Sequence, residues 1–397
     1  MSLHIKQQEV IELSWNLKDI LEESSFEVDK QGIFPKENID LLKSKGFMLI
    51  PIPRVYGGKG HKLKTISEII QILASGCLST SIILGMHYQQ VITIMDHADP
   101  SMRDRILKEI CKENFYIASV TSEYGKGGHL LTSQSSIVWK NQKEFLINRD
   151  APIVTGGAYA DAYLITMKLE EEALSREVGL VWAHKNELDI NLKSNWDSMG
   201  MRATDSIGMN LKGNLDTSNI LSNESFDDIA KLTLIPIGHI MWVSSWLGSV
   251  KNVFEKVIGL IRSSSNSSKF KSDVLYHRLS NTRTMIDMVS IYLEDTIRKY
   301  EYHSSNKEFL KSNEFQIQLN NLKIYSSENL FKAVNELVDL VGMQYGYLKN
   351  KDIPLERTFR DLRSAALMYH NDRLKLANGK MCLFNSNLLS RSKKRND

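Results

Sequence analysis

The chain has 397 residues, more than a single hydrophobic core usually supports, so we expect two or three domains. Hydrophobic residues make up 42% of the sequence and charged residues 24%, with 50 basic against 47 acidic side chains and a net charge of +3. This near balance, with the basic residues interspersed, argues against a nucleic-acid-binding surface. No run of about 18 apolar residues occurs, which argues against a membrane span.

Cysteine usage and the amino terminus indicate where the protein works. Cys77, Cys111 and Cys382 lie far apart without a paired spacing, which fits a reducing compartment and excludes a zinc ribbon. Residues 1–9 are polar and lack the apolar core of a signal peptide. The sequence therefore predicts a cytoplasmic protein with no metal site.

The first third of the chain repeats apolar residues with a helical period. Helices are predicted over residues 7–23, 35–45, 65–74, 79–95 and 102–110. His87 lies near the middle of the fourth of these, where a histidine is more often a hydrogen-bonded core residue than a catalyst. Residues 1–112 are expected to form an N-terminal helical domain.

The middle third changes to short β-branched runs separated by turn residues, roughly ten residues apart. Strands are predicted over residues 136–139, 144–148, 162–166, 178–182 and 207–211, besides an apolar run that begins at Phe115. This pattern predicts a small antiparallel barrel or sandwich, which forms a central β domain over residues 113–227.

Two of these runs end in polar, glycine-rich turns. The run from Phe115 continues into Thr121-Ser122, and a later run ends at Thr155 before two glycines. Hydroxyls and backbone N–H groups at two strand ends could hold a planar polar ligand, or both segments could be ordinary β-turns. Further on, Arg202 could anchor a loop through its guanidinium donors.

The last third returns to long amphipathic helices. They are predicted over residues 237–261, 276–300 and 317–341, with a further helix that opens at Pro354. Long helices with short connections predict an up-down bundle of the four-helix type over residues 228–397. The predicted fold class is α+β and mostly helical, in the order helical domain, β domain, helical bundle.

This order, with glycine turns at its joints, resembles the acyl-CoA dehydrogenase superfamily of flavoproteins from about Pro51 to Asn378. The segments that resemble family motifs, in the family's order, are residues 52–60, 122–127, 148–157, 199–206 and 353–361. The resemblance implies a flavin site, FAD in most of the family. The residues implied to face the isoalloxazine ring are Thr121, Ser122, Ile153 and Thr155. Those implied to contact FAD from a neighbouring subunit, and hence to require a homodimer or homotetramer, are Asp339, Leu340 and Gly342.

Departures from the family pattern are equally informative. Ile153 replaces the tryptophan that usually covers the flavin, and residues 263–269 replace an arginine-rich segment that meets the FAD pyrophosphate. Gly128-His129 replaces a Ser-Asp pair, and the implied substrate contacts are Gly128 and Arg202.

The catalytic base is missing from its family position. In the family a glutamate takes the α-proton of an acyl thioester while hydride leaves for the flavin. Here Tyr369 or His370 stands at that position, and Asp372 is the nearest acid. The alternative family position, on the first bundle helix, falls at Gly238-His239 and holds no carboxylate either.

The resemblance therefore leaves three functions open. The first is a divergent acyl-CoA dehydrogenase that uses FAD, an acyl-CoA or similar small substrate and an electron-transfer flavoprotein, with Asp372 or another acid as base. The second is a two-component flavin monooxygenase that takes reduced flavin, FAD or FMN, from a partner flavin reductase. His87 or His370 would then donate a hydrogen bond in a dry pocket. The third is a scaffold that has lost its chemistry.

Overall fold

The computed structural model describes residues 2–125, 130–263 and 272–384. Every helix predicted in the N-terminal region is present, and the first is longer than expected. These helices are α1 (Ser2–Gln31), α2 (Lys36–Ser44), α3 (Leu63–Gly76), α4 (Leu78–His97) and α5 (Pro100–Glu113). Because α4 is apolar on most of its faces, it is buried on most of them and lies inside the molecule.

The central region contains two small sheets that face each other like a sandwich. One sheet has the order β1 (Ile117–Val120), β4 (Ala162–Lys168) and β5 (Val178–His184). The other has the order β2 (Val138–Trp139), β3 (Glu144–Val154), β7 (Ile207–Asp216) and β6 (Leu188–Leu192). No closed barrel forms among the described strands.

The sheets depart from the predicted antiparallel arrangement at one pair. β1 and β4 are parallel, while the other paired strands are antiparallel. The chain between β1 and β4 contributes β2 and β3 to the other sheet, and such a crossover is what a parallel pair requires. The predicted sandwich is therefore confirmed, and the one departure from the antiparallel prediction is the parallel pair β1–β4.

β3 is a single strand that continues to Val154, beyond the predicted end at residue 148. Its pairing with β7 shifts register between Ala151 and Val154, and Pro152 stands in that bulge, where its missing N–H costs no ladder bond. Arg149, the first residue beyond the predicted strand end, points inward in the alternating pattern of the strand. The sequence could not show that this charge is buried, because its partner comes from another segment.

The C-terminal region is a bundle built around α7 (Ile235–Ser263), which packs against α3, α4, α8 (Asp273–Tyr302) and α10 (Asn313–Gly342). Short helices α6 (Phe226–Ile229) and α9 (Lys307–Lys311) accompany it, and a π-helical turn over Ala230–Leu234 leads into α7. Trp246 and Val250 of α7 are fully or almost fully buried in the main apolar core. None of the described helices is long and apolar enough to cross a bilayer.

The helix predicted to open at Pro354 ends early. α11 (Leu355–Arg363) stops, and α12 (Asn371–Phe384) begins after a turn segment in which Tyr369 has a φ of +45°. A left-handed residue other than glycine is unfavourable in isolation, so the packing around it must hold it there. This turn brings the residues that follow α11 to the centre of the molecule.

Two glycines of α7 make a matched test of the close packing between α7 and α3. A Cβ on Gly248 would lie 2.1 Å from the carbonyl oxygen of Gln71, whereas a Cβ on Gly259 would meet no atom of the described residues within 4 Å. We predict that Gly248→Ala lowers the free energy of unfolding by roughly 1–3 kcal/mol or more. Gly259→Ala should instead raise it by about 0.5–1 kcal/mol through helix propensity. Urea denaturation measures both, and equal effects of the two substitutions would refute this packing.

Candidate active site

A cavity of about 680 Å³ lies where α4 and α7 meet the ends of β1 and β3 and the turn segment after α11. Its walls are mainly apolar, with hydroxyl groups at the strand ends. Apolar side chains in the lining include Ile82, Met86, Leu130, Ile153, Trp196, Met199, Met201, Leu234, Ile235, Trp242, Leu367 and Met368. Polar side chains in the lining include Gln89, Ser119, Thr121, Ser122, Thr155, Thr204, Ser206, His239, Arg360, Arg363, Ser364 and Tyr369.

The strand-end residues predicted to face a flavin do line this cavity. They are Thr121, Ser122, Ile153 and Thr155. The hydroxyl of Ser122 donates to the carbonyl oxygen of Ile153 at 2.6 Å and accepts from the N–H of Ile153 at 3.2 Å. Ser122 therefore joins the segment after β1 to β3 and fixes two sides of the cavity together.

Thr155 belongs to a chain of hydroxyls whose direction can be worked out. Thr204 donates to the carbonyl oxygen of Met201 at 2.8 Å, because a carbonyl can only accept. Ser206 must then donate to Thr204 at 2.9 Å, and Thr155 to Ser206 at 3.0 Å. Since the hydrogen of Thr155 is used in this way, its oxygen is left as an acceptor on the cavity wall.

A buried ion pair stands behind these strand ends. Arg149 Nη1 lies 2.6 Å from Glu123 Oε1, and the two side chains are 0% and 5% exposed. Arg149 Nη2 also donates to the carbonyl oxygen of Ser122 at 3.0 Å. Glu123 accepts further hydrogen bonds from the backbone and hydroxyl of Ser135 and from the backbone of Gln134. Burial alone would raise the pKa of Glu123, but these hydrogen bonds and Arg149 hold it below its ordinary value.

The wall formed by α7 and the turn after α11 carries a group of aromatic rings. His239 lies 5.8 Å from Trp242 and 6.1 Å from Tyr369 between ring centroids. His239 is 2% exposed, and its Nδ1 lies 3.3 Å from the carbonyl oxygen of Leu319. Burial, together with the nearby charge of Lys323, lowers the pKa of His239 to about 3. The imidazole is therefore neutral at physiological pH.

Lys323, on α10, is hydrogen-bonded to the turn that contains Tyr369, on the side away from the cavity. Its Nζ donates to the carbonyl oxygen of Tyr369 at 3.2 Å and to Asn371 Oδ1 at 2.7 Å. The side chain is fully buried, and burial lowers its pKa to about 7. These bonds explain how the left-handed backbone at Tyr369 is held in place. Burial also raises the pKa of the Tyr369 phenol, which stays protonated.

Two of the sequence segments that resemble family motifs contact each other at the cavity rim. The backbone N–H of Met201 donates to Asp361 Oδ1 at 2.5 Å, and Arg360 Nη1 donates to the carbonyl oxygen of Met199 at 3.0 Å. Arg360 also forms a two-point ion pair with Asp29. Arg202 donates to the carbonyl oxygen of Asp29 at 2.9 Å and does not line the cavity, so the structure assigns it the anchoring role.

Several residues proposed for catalysis lie away from the cavity. His87 is fully buried, with Nε2 on the carbonyl oxygen of Met48 at 3.0 Å and Nδ1 accepting from the N–H of Ile117 at 3.2 Å. Both ring nitrogens are thus used by the backbone, and burial lowers the pKa of His87 to about 4. His370 and Asp372 have side chains that are 46% and 80% exposed, and neither lines the cavity. None of the three residues His87, His370 and Asp372 lines this cavity.

The structure distinguishes between the alternatives left at the base position. Of Tyr369 and His370, only Tyr369 lines the cavity, and His239 does so from the alternative position. No aspartate or glutamate is present among the described lining residues. The resemblance identified Gly238-His239 only as an alternative base position that holds no carboxylate. It did not predict that the His239 imidazole itself lines the cavity.

Other predicted contacts remain outside this cavity or outside the described chain. Asp339 is exposed and lies 3.5 Å from Arg278, and neither Leu340 nor Gly342 lines the cavity. Gly128 and most of the segment 263–269 fall outside the described residues.

Arg363 lines the cavity and has no ion-pair partner in the described part of the chain.

Comparison with known families and proteins identifies relatives of the chain. The family models for the acyl-CoA dehydrogenase N-terminal and C-terminal domains match residues 17–114 and 231–369. The 3-(aryl)acrylate reductase of Clostridium sporogenes is 22% identical over 86% of this chain and 88% of that protein. The cyclohex-1-ene-1-carbonyl-CoA dehydrogenase of Geobacter metallireducens is 24% identical over 45% of this chain, and that match spans only 47% of the relative.

Solved structures show the same fold. FMN-bound TdsC from Paenibacillus sp. A11-2, a dibenzothiophene monooxygenase, superposes with a TM-score of 0.85 at 17% identity, covering 96% of this chain and 98% of that one. Butyryl-CoA dehydrogenase from Megasphaera elsdenii superposes with a TM-score of 0.84 at 18% identity, covering 95% and 98%. The fold is thus shared by proteins with different reactions, so the site must decide between them.

The buried ion pair behind the strand ends generates a stability prediction. Arg149→Met leaves the Glu123 carboxylate buried without its partner, which should lower the free energy of unfolding by roughly 3–5 kcal/mol at pH 7. Asp150→Asn, at the next residue, breaks a half-exposed pair with Lys193 and should cost at most about 1 kcal/mol. Chemical denaturation of both variants measures the difference.

The pH dependence of this prediction has a definite sign. The pKa of Glu123 is lowered in the folded protein, so its contribution is complete above its ordinary value of 4.5 and is lost as pH falls through the folded pKa. The difference in the free energy of unfolding between the wild type and Arg149→Met should therefore become smaller as the pH is lowered. A gap of less than about 1 kcal/mol at pH 7 would contradict a structural role for the pair.

Proposed function

Because the chain belongs to the acyl-CoA dehydrogenase family of flavoproteins, we propose that it is a monooxygenase that takes reduced flavin from a partner reductase. The observation that carries the proposal is the lining of the cavity, in which no described residue is an aspartate or a glutamate. Dehydrogenation of an acyl thioester requires a base for the α-proton, and a carboxylate is the family's usual choice. Oxygen transfer to a neutral substrate has no such requirement.

The residues of the cavity fit a flavin ring. The acceptor oxygen of Thr155 suits an N–H of the ring. Arg363 supplies a cation without an ion-pair partner among the described residues, which suits a flavin phosphate. When bound, reduced flavin supplies two electrons, so that one oxygen atom of O₂ enters the substrate and the other leaves as water.

The chain's own residues provide the environment that this reaction needs. Apolar side chains such as Ile82, Met86 and Leu234 exclude water from the cavity. Tyr369 keeps its phenol proton, since burial raises its pKa, and can donate a hydrogen bond. His239, with a pKa of about 3, is too weak a base to take an α-proton at neutral pH.

The full cofactor and the assembly are part of the proposal. FAD would require contacts from the region of Asp339, Leu340 and Gly342 of a neighbouring subunit, in a homodimer or homotetramer. FMN would need only the cavity and a phosphate partner such as Arg363. The FMN bound to TdsC, a protein of the same fold, supports the second form.

A dehydrogenase or reductase of acyl thioesters is the second candidate. It is favoured by the acryloyl-CoA reductase of Anaerotignum propionicum, which is 21% identical over 91% of this chain and 90% of that protein. This candidate would need electron-transfer flavoprotein or a nicotinamide as redox partner, and Asp372 would have to turn inward from its exposed position.

Acyl-CoA-dependent bleaching of bound oxidised flavin separates the two candidates. We predict that wild type and Asp372→Asn, reconstituted with FAD or FMN under anaerobic conditions, show no bleaching with saturated acyl-CoA compounds of several chain lengths. Tyr369→Glu, which places a carboxylate in the cavity, should permit slow bleaching. Absorbance near the long-wavelength flavin band measures all three proteins.

The opposite result has a clear meaning. Bleaching by the wild type that disappears in Asp372→Asn would establish the dehydrogenase and overturn the monooxygenase proposal. His370→Gln, which changes a neighbouring exposed side chain, serves as the control for damage to the turn.

A further inference from the structure

We propose that His239 and Tyr369 form a neutral acceptor–donor pair that selects substrates carrying an uncharged N–H or O–H group on an aromatic or heteroaromatic ring. This inference names the substrate class of the cavity and rests on the proposed function for the reaction that follows binding.

His239 presents a hydrogen-bond acceptor to the cavity. Its Nδ1 faces the carbonyl oxygen of Leu319, which can only accept, so Nδ1 carries the hydrogen of the neutral ring. The other nitrogen, Nε2, therefore has a lone pair, and among the described residues the hydrogen bond of this ring is the one from Nδ1 to Leu319. Since the ring lines the cavity and is 2% exposed, a ligand is the natural partner for this lone pair.

Tyr369 presents a donor beside it. The ring lines the cavity 6.1 Å from the His239 ring between centroids, and its phenol makes no hydrogen bond within the described chain. The backbone that carries it is fixed by Lys323, which donates to the carbonyl oxygen of Tyr369 at 3.2 Å. Because this backbone is already fixed, its ordering adds no entropic cost when a ligand binds.

The surroundings favour a neutral, planar group over a charged one. The rings of Trp242 and His239, whose centroids lie 5.8 Å apart, both line the cavity and can stack against an aromatic ligand. Leu234, Ile235 and Met368 line the same cavity. A charged group would lose its hydration here, because the described lining residues include no carboxylate and the two lining arginines are engaged elsewhere: Arg360 pairs with Asp29, and Arg363 is assigned to the flavin phosphate in the proposed function. Aromatic faces and one donor–acceptor pair therefore select a flat ring with a single polar edge.

The test uses the full-length protein and three probes of nearly equal shape. 2-Quinolone offers both N–H and C=O, 1-methyl-2-quinolone offers only C=O, and 2-methoxyquinoline lacks the N–H and the carbonyl. We expect 2-quinolone to bind at least about tenfold more tightly than the 1-methyl compound, because the latter leaves His239 Nε2 unpaired. Isothermal titration calorimetry and quenching of tryptophan fluorescence measure these affinities without flavin or turnover.

Variants assign the selectivity to the two side chains. His239→Phe should bring the affinities for 2-quinolone and 1-methyl-2-quinolone to within about twofold, and Tyr369→Phe should weaken both while keeping their ratio. His370→Gln, an exposed neighbour that does not line the cavity, should behave as wild type. Circular dichroism and the urea midpoint identify any variant that fails to fold, and Tyr369→Phe keeps the test valid if His239→Phe does so.

Two outcomes would overturn the inference. One is equal binding of all three probes by the wild type, and the other is selectivity that survives in a folded His239→Phe protein. Either result can occur whether or not the protein oxygenates a substrate. Conversely, acyl-CoA bleaching by the wild type would overturn the proposed function while leaving the probe selectivity to stand on its own.

Discussion

The buried ion pair between Arg149 and Glu123 is the interaction on which the geometry of the cavity depends. A buried pair is stabilising only when its remaining polar atoms are also bonded, because both charges lose their hydration. Glu123 meets this condition with bonds from Ser135 and Gln134, whereas the Nε of Arg149 has no hydrogen-bond partner among the described residues. Arg149 also donates a hydrogen bond to the carbonyl oxygen of Ser122, a residue of the cavity wall, so the ion pair is bonded directly to that wall.

The cavity combines a polar edge with a neutral interior. At the strand ends, a directed chain of hydroxyls leaves Thr155 as an acceptor. On the α7 side, burial keeps His239 unprotonated and Tyr369 protonated, so two titratable residues act as fixed hydrogen-bonding groups. The resemblance to the dehydrogenases places their carboxylate base at one of two positions, near Tyr369 or near His239. Here the first position is held by Tyr369, whose left-handed backbone is secured by Lys323.

Much of the fold and one edge of the site could be predicted from local sequence. Helical periodicity located the long helices, and Thr121, Ser122 and Thr155 were recognised at strand ends before glycines. What local sequence could not supply were contacts between distant segments. The burial of Arg149 depends on Glu123, and the exclusion of His87 from the cavity depends on bonds to backbone groups of two other segments. For the same reason the inward position of the ring of His239 was missed, although its place in the sequence had been noted.

The most direct test of the account compares the binding of oxidised and reduced flavin. FMN is titrated into the wild type and into Thr155→Val, once in air and once after anaerobic photoreduction, with ultrafiltration to separate free from bound flavin. We predict that reduced FMN binds the wild type at least about tenfold more tightly than oxidised FMN, and that Thr155→Val loses most of this binding because the acceptor oxygen is removed. Absence of flavin binding in both redox states would contradict the assignment of the cavity as a flavin site.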